Sequence, residues 1–200
     1  MERGKCNSNE LHSIIEEIKP EVIFEELPPD IFDVVYSPGR NPQSLEASTI
    51  KKYLRAYHAE HFPVDINASP VFQHYDLISS RSAEYTRLFL QQLSMIEQHG
   101  YSFLNSDQCS VLLDKIQALE NAGLLEINDP QLISQYRSDI ETSDHRESKM
   151  IRNIYDYSSR NKYDKALFIC GAQHRKPIAQ KIMRHKSPNE LNIDWRFYNS

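Results

Sequence analysis

The sequence predicts an α/β (or α+β) fold: a central mixed, largely parallel sheet flanked by helices, with a helical insertion over about residues 80–160. Three observations predict it. An amphipathic helix ending at Pro20 passes straight into the short buried strand Val22-Ile23-Phe24, with no hairpin turn between them. Near the far end, Ala166-Leu167-Phe168-Ile169-Cys170 stops at Gly171-Ala172-Gln173-His174, and a new helix begins close to Pro177. From about residue 80 to 160 the residues read as helix almost throughout.

Each element has its own signal. Asn7 or Ser8 can cap the first helix, Leu11, Ile14, Ile15 and Ile18 form its apolar stripe, and Pro20 ends it. Pro28 and Pro29 cannot continue a ladder, so the chain leaves the sheet after Glu25-Glu26-Leu27. Residues 31–44, with Pro38, Gly39 and Pro42, read as loop, and residues 45–60 as helix. Phe62-Pro63-Val64-Asp65-Ile66 reads as another short strand. The helical block breaks at Gly100, Gly123 and Asp129-Pro130, and its last helix runs from Asp144 to Ser159 with Met150, Ile154 and Tyr157 inward. Leu191 to Tyr198 alternates as an edge strand does.

Two hundred residues suffice for one domain over 1–200 with a sizeable core. A net charge of −5 spread along the chain speaks against a nucleic-acid partner. No run reaches the length of a membrane span, and residues 1–5 form no apolar signal segment. The three widely spaced cysteines, Cys6, Cys109 and Cys170, fit reduced thiols in a cytoplasmic protein.

Chemistry concentrates at strand ends. His174 stands where open α/β sheets keep their sites, and Glu25 and Glu26 close a buried strand. If the two strands run parallel, Glu26 and His174 open on one edge. Carboxylate plus imidazole there can ligate a divalent metal, or polarise and deprotonate a water. The plainer reading leaves one glutamate in solvent and the other capping nearby backbone. Arg146 shares a helix face with Met150, which carries its guanidinium to the rim of the sheet. Asp65 can add a third carboxylate to the same edge. His58 and His61 read as a solvated helix end.

Ile18-Lys19-Pro20-Glu21-Val22-Ile23-Phe24-Glu25-Glu26-Leu27 resembles the Lys-Pro-Asp-Val-Val-x-x-Glu segment of the TraB/Tiki/GumN superfamily, which is related to erythromycin esterase-like proteins. Arg146-Glu147, Met150 and Asn153-Ile154 resemble its Arg-helix element, and Gly171-Ala172-Gln173-His174 its second Gly-x-x-His motif. The resemblance implies a hydrolase acting on an ester or peptide bond, with Glu26, Arg146 and His174 as its catalytic residues. It implies a small-molecule or peptide substrate, and as cofactor a divalent metal (manganese, cobalt or zinc) on Glu26 and His174 where one is bound. Asn7 stands in the place of the family's first Gly-x-x-His histidine and, with Asp65, becomes a substrate-binding candidate. Asparagine takes no proton at neutral pH, so a catalytically inactive binding or regulatory protein on the same fold is the alternative. The expected shortage of an N-terminal strand also leaves a sheet edge for a second copy to cover.

Overall fold

The computed structural model describes residues 2–67, 75–184, 191 and 193–198. In chain order the elements are α1 (Ser8–Ile18), β1 (Val22–Glu25), α2 (Pro29–Val35), α3 (Leu45–Ala56), β2 (Glu60–Pro63) and α4 (Tyr75–Ser79). There follow α5 (Ala83–Leu104), α6 (Asp107–Ile127), α7 (Pro130–Arg160), β3 (Ala166–Ile169) and α8 (Ala172–Arg184). The described strands form one all-parallel sheet in the order β2-β1-β3. The expected α/β class with parallel strands and flanking helices is the observed one.

Strand alternation divides the core into two faces. Val22 and Phe24 point to α7 and α8, where they meet Val64, Met150, Ile151, Ile154 and Ile178. Ile23 points the other way, to Leu11 and Ile15 of α1 and Leu45, Ile50 and Tyr53 of α3. A third cluster joins α4, α5 and α6 around Ile78, Leu88, Phe103, Leu112 and Leu124, and Tyr136 of α7 reaches it. With 31 residues, α7 is roughly 45 Å long at the usual helical rise. Its N-terminal half serves the helical cluster, its C-terminal half the sheet.

Local chemistry explains the ends. Asn7 caps α1, its Oδ1 accepting from the N–H groups of Asn9 and Glu10. Lys19 closes that helix in the left-handed region, φ 52°, before Pro20. At Gly100, φ 56° and ψ −137° kink α5, and the Glu10 carboxylate accepts from the Tyr101 N–H that the kink frees, at 3.2 Å. A methyl group at Gly100 would run into that carboxylate.

Several expectations are corrected. Part of the supposed loop 31–44 is α2, because Pro29 sits in its first turn, where a missing N–H costs nothing. The helix from residue 45 ends at Ala56, and the following strand covers Glu60–Pro63 rather than 62–66. Gly123 breaks nothing: α6 runs through it, and the real break is at Asn105-Ser106, where Ser106 caps α6. The helix expected from Asp144 starts at Pro130, capped by Asp129. Among the described residues of 191–198 there is no strand. Ile193 and Trp195 pack on the α7–α8 side instead, with the Trp195 indole N–H donating to the Tyr155 hydroxyl at 3.2 Å. Among the described strands β1 is central, so the edge positions belong to β2 and β3. Pro63 already removes one donor from β2.

Phe24 is 1 % exposed and meets Tyr157 edge-on at 5.3 Å. Phe24→Ala is expected to cost about 3–5 kcal/mol in urea unfolding. Leu90→Ala, on an exposed face of α5, is expected to stay within about 0.5 kcal/mol.

Candidate functional site

Glu25 and Glu26 leave β1 on opposite faces and meet different partners. Parallel pairing continues one residue beyond the strand, with the Glu26 N–H donating to the Ile169 carbonyl at 3.1 Å. That register sets Glu26 beside the turn from β3 into α8. The Gly171 N–H donates to Glu26 Oε2 at 2.6 Å, so the carboxylate lies at the N-terminus of α8, where negative charge is favoured.

Glu26 Oε1 accepts from Arg146 Nη2 at 2.8 Å and lies 3.2 Å from His174 Nε2. The arginine is anchored a second time. Its Nε and Nη2 form a fork on Asp65, with Nη2 to Oδ2 at 2.5 Å. Nη1 makes no hydrogen bond among the described residues, and the side chain keeps 17 % of its surface exposed. Asn153, one helical face along α7, donates to the Val64 carbonyl at 2.8 Å and ties the helix to the chain just before Asp65.

His174 lies in the first turn of α8 and is 1 % exposed. Its Nδ1 is 2.8 Å from Glu147 Oε1. Its Nε2 is buried without an aligned acceptor, so the approach to Glu26 is a contact of charges rather than an in-line hydrogen bond. Lys181 backs the pair, donating to Glu147 Oε2 at 2.7 Å and to Asp144 Oδ1 at 2.5 Å. The result is a chain of alternating charge: Asp65, Arg146, Glu26, His174, Glu147, Lys181, Asp144.

Electrostatics follows from this order. Burial works against a charged imidazole, but the two carboxylates that flank the ring, Glu147 and Glu26, outweigh it and push His174 up to about 9. Burial would raise the Glu26 carboxyl, yet His174, the Gly171 N–H and Arg146 together hold it below the ordinary 4.5. Near neutral pH the imidazole therefore carries both protons and Glu26 is ionised. Burial first, then Glu26 and Glu147, push the Cys170 thiol up, so it stays protonated and unreactive.

Of the residues singled out in the sequence, Glu26, Arg146, His174 and Asp65 converge. Asn7 does not join them through a hydrogen bond: its Oδ1 caps α1 and its Nδ2 donates to the Gly4 carbonyl at 2.8 Å. Its role in the structure is to start α1. His61 is no solvated helix end. It lies on β2 and bonds Glu25 Oε2 at 2.8 Å, beneath Phe32 and Tyr36, on the other face of the sheet. The Tyr36 hydroxyl donates to the same oxygen at 2.8 Å.

Glu147 and Lys181 escaped the sequence reading, though a signal existed. Glu147 falls on the buried stripe of α7 with Met150, Ile151 and Ile154, and a charge at a core position requires a partner. On α8, His174, Ile178 and Lys181 share a face in the same way.

A divalent metal on Glu26 and His174 would have to displace the Arg146 N–H from Glu26 Oε1 and a proton from the imidazole, whose Nδ1 is already committed to Glu147. What the group can do is hold a carboxylate ionised at a strand end, bonded to an arginine whose Nη1 is unbonded among the described residues.

The linkage has a definite sign. The His174 contribution is complete below its ordinary 6.5 and is lost as pH rises through about 9. The Glu26 contribution is complete above 4.5 and is lost as pH falls below it. Unfolding free energy is thus expected to plateau between these limits and to fall by about 3 kcal/mol on the alkaline side. His174→Phe should remove most of that alkaline loss in denaturation measured from pH 5 to 10. Compared with family models, curated proteins and solved structures, the chain matches none.

Proposed function

We propose that this chain is a hydrolase-like protein of the TraB/Tiki/GumN type, acting on an ester or peptide bond of a small-molecule or peptide substrate. The observation that carries the reading is the meeting of Glu26, Arg146 and His174 at the carboxyl edge of a parallel sheet, from three elements far apart in sequence. Open α/β sheets place their sites at that edge.

The roles follow from exposure and charge. Glu26 retains 18 % of its surface, whereas the histidine behind it is sealed off. Glu26 is therefore the group that meets water. As the water oxygen attacks the carbonyl carbon, its proton passes to Glu26. The charge that develops on the carbonyl oxygen is met by the free Arg146 Nη1. Collapse breaks the bond to the alcohol or amine, which leaves with the proton from Glu26. His174 acts through Glu26, keeping its charge and orientation. The described cysteines are all unpaired, which supports a reducing, cytoplasmic setting.

A second reading is a binding or regulatory protein without turnover. One observation favours it: both Glu26 oxygens are engaged by protein groups before any substrate arrives.

Hydrolysis of ester and peptide libraries, with and without manganese, cobalt or zinc, separates the two. Glu26→Gln is expected to lower kcat by about 10²–10⁴-fold, with the circular dichroism spectrum unchanged. Full activity in Glu26→Gln or in His174→Ala overturns the assigned roles. No turnover on any member, with a ligand still bound, selects the second reading.

A further inference from the structure

We infer that Glu147 is the positioning residue of this site, the group that fixes the His174 ring with Nε2 turned toward Glu26. The inference rests on the reading of Glu26, Arg146 and His174 as one site, and deepens it.

A histidine ring in the first turn of a helix can rotate about χ2 and can carry its proton on either nitrogen. His174 faces a carboxylate oxygen on each side, Glu147 at 2.8 Å from Nδ1 and Glu26 at 3.2 Å from Nε2. Only the Glu147 contact has the geometry of a hydrogen bond; Nε2 is buried with no aligned acceptor. The ring orientation is therefore set from the Glu147 side. Without that anchor, nothing bonded to the imidazole holds Nε2 against Glu26.

Glu147 is itself fixed at both oxygens. Lys181 takes Oε2 at 2.7 Å, about two turns further along the α8 face that bears His174, which leaves Oε1 for the ring. The carboxylate is buried, and it follows Arg146 directly in sequence. One short stretch of α7 thus grips both partners of Glu26: the guanidinium that bonds it and the carboxylate that aims the imidazole. A charge placed only to tie α7 to α8 would be served by Lys181 alone, at the solvent side, without a second oxygen committed to a sealed histidine.

The test is nuclear magnetic resonance of the His174 ring in the full chain at pH 7, with Glu147→Gln and Lys181→Met as variants. The wild type is expected to show a solvent-protected, strongly downfield Nδ1–H proton. Glu147→Gln, nearly isosteric, should lose or shift it by more than 1 ppm, roughly what exchanging a carboxylate for an amide acceptor produces. Lys181→Met should keep the signal, since Oε1 still faces the ring. Absence of the protected signal in the wild type overturns the assignment, as does its persistence in Glu147→Gln. Equal loss in both variants overturns it too, because the cluster then behaves as one structural tie. In parallel, 4-nitrophenyl acetate turnover is measured. Where the wild type turns it over, Glu147→Gln should lower kcat about tenfold or more with KM within about twofold. A wild type that shows the protected proton but no turnover tells against hydrolysis and leaves the positioning role standing.

Discussion

The structure turns on the charged contact of Glu26 with Arg146 and His174. A carboxylate at the end of a buried strand loses most of its hydration, a cost of several kcal/mol unless opposite charge and hydrogen bonds restore it. Glu26 receives all three kinds of help: a guanidinium, an imidazolium and a backbone N–H at a helix start. The guanidinium comes from α7, the imidazolium and the N–H from the start of α8. The contact therefore sets how α7 and α8 meet the end of β1. Because pairs of this sort cost more to break than they contribute when intact, losing one partner leaves an uncompensated charge rather than a mere gap.

That contact lies at the junction of two cores. α7 spans both, with Tyr136 in the helical cluster and Met150, Ile151 and Ile154 against the sheet. Ala172, at the start of α8, packs against the helical cluster, while Ile178 packs against the sheet. Arg146, Glu147 and His174 occupy the seam between them. Packing fixes the helices to within the tolerance of close-packed side chains, and the charges choose the remaining register. Polar groups at a seam of this kind are held on rigid elements, which is what an acid–base site requires.

The two adjacent glutamates show how one residue of offset decides chemistry. Period-two alternation sends Glu25 to the α3 face and Glu26 to the α7–α8 face. Glu25 meets His61 and Tyr36 under an aromatic cover, and burial followed by the Glu25 charge pushes the Tyr36 hydroxyl up. Glu26 meets three positive or donating groups and keeps contact with solvent. Both carboxylates end the same strand. Only one faces an arginine.

Much of the architecture was legible from local pattern. The stripe of Leu11 and Ile15, the cap at Asn7, the break at Gly100 and the turn at Gly171 each declare themselves within a few residues, because capping, periodicity and backbone freedom are local. The errors were also physical. Pro28-Pro29 reads as an exit from the sheet and equally as the start of a helix, and only the path to α3 decides between them. Gly123 looks like a break, but α6 runs through it, and Ile78 lies so close that a methyl group there would collide with it. Ile193 and Trp195 alternate as a strand does, yet their partners lie on α7 and α8 rather than on a ladder.

What the sequence by itself determined is the elements that frame the site and the residues that stand on them: a strand closing in two glutamates, a glycine turn before His174, an arginine on a helix face. Tertiary structure alone decided who meets whom. The parallel register of β1 with β3 brought Glu26 to α8, the seam position of α7 added Glu147, and strand parity gave His61 to Glu25. Pairing of charges across 120 residues depends on desolvation and distance in three dimensions, and no local rule of spacing contains either.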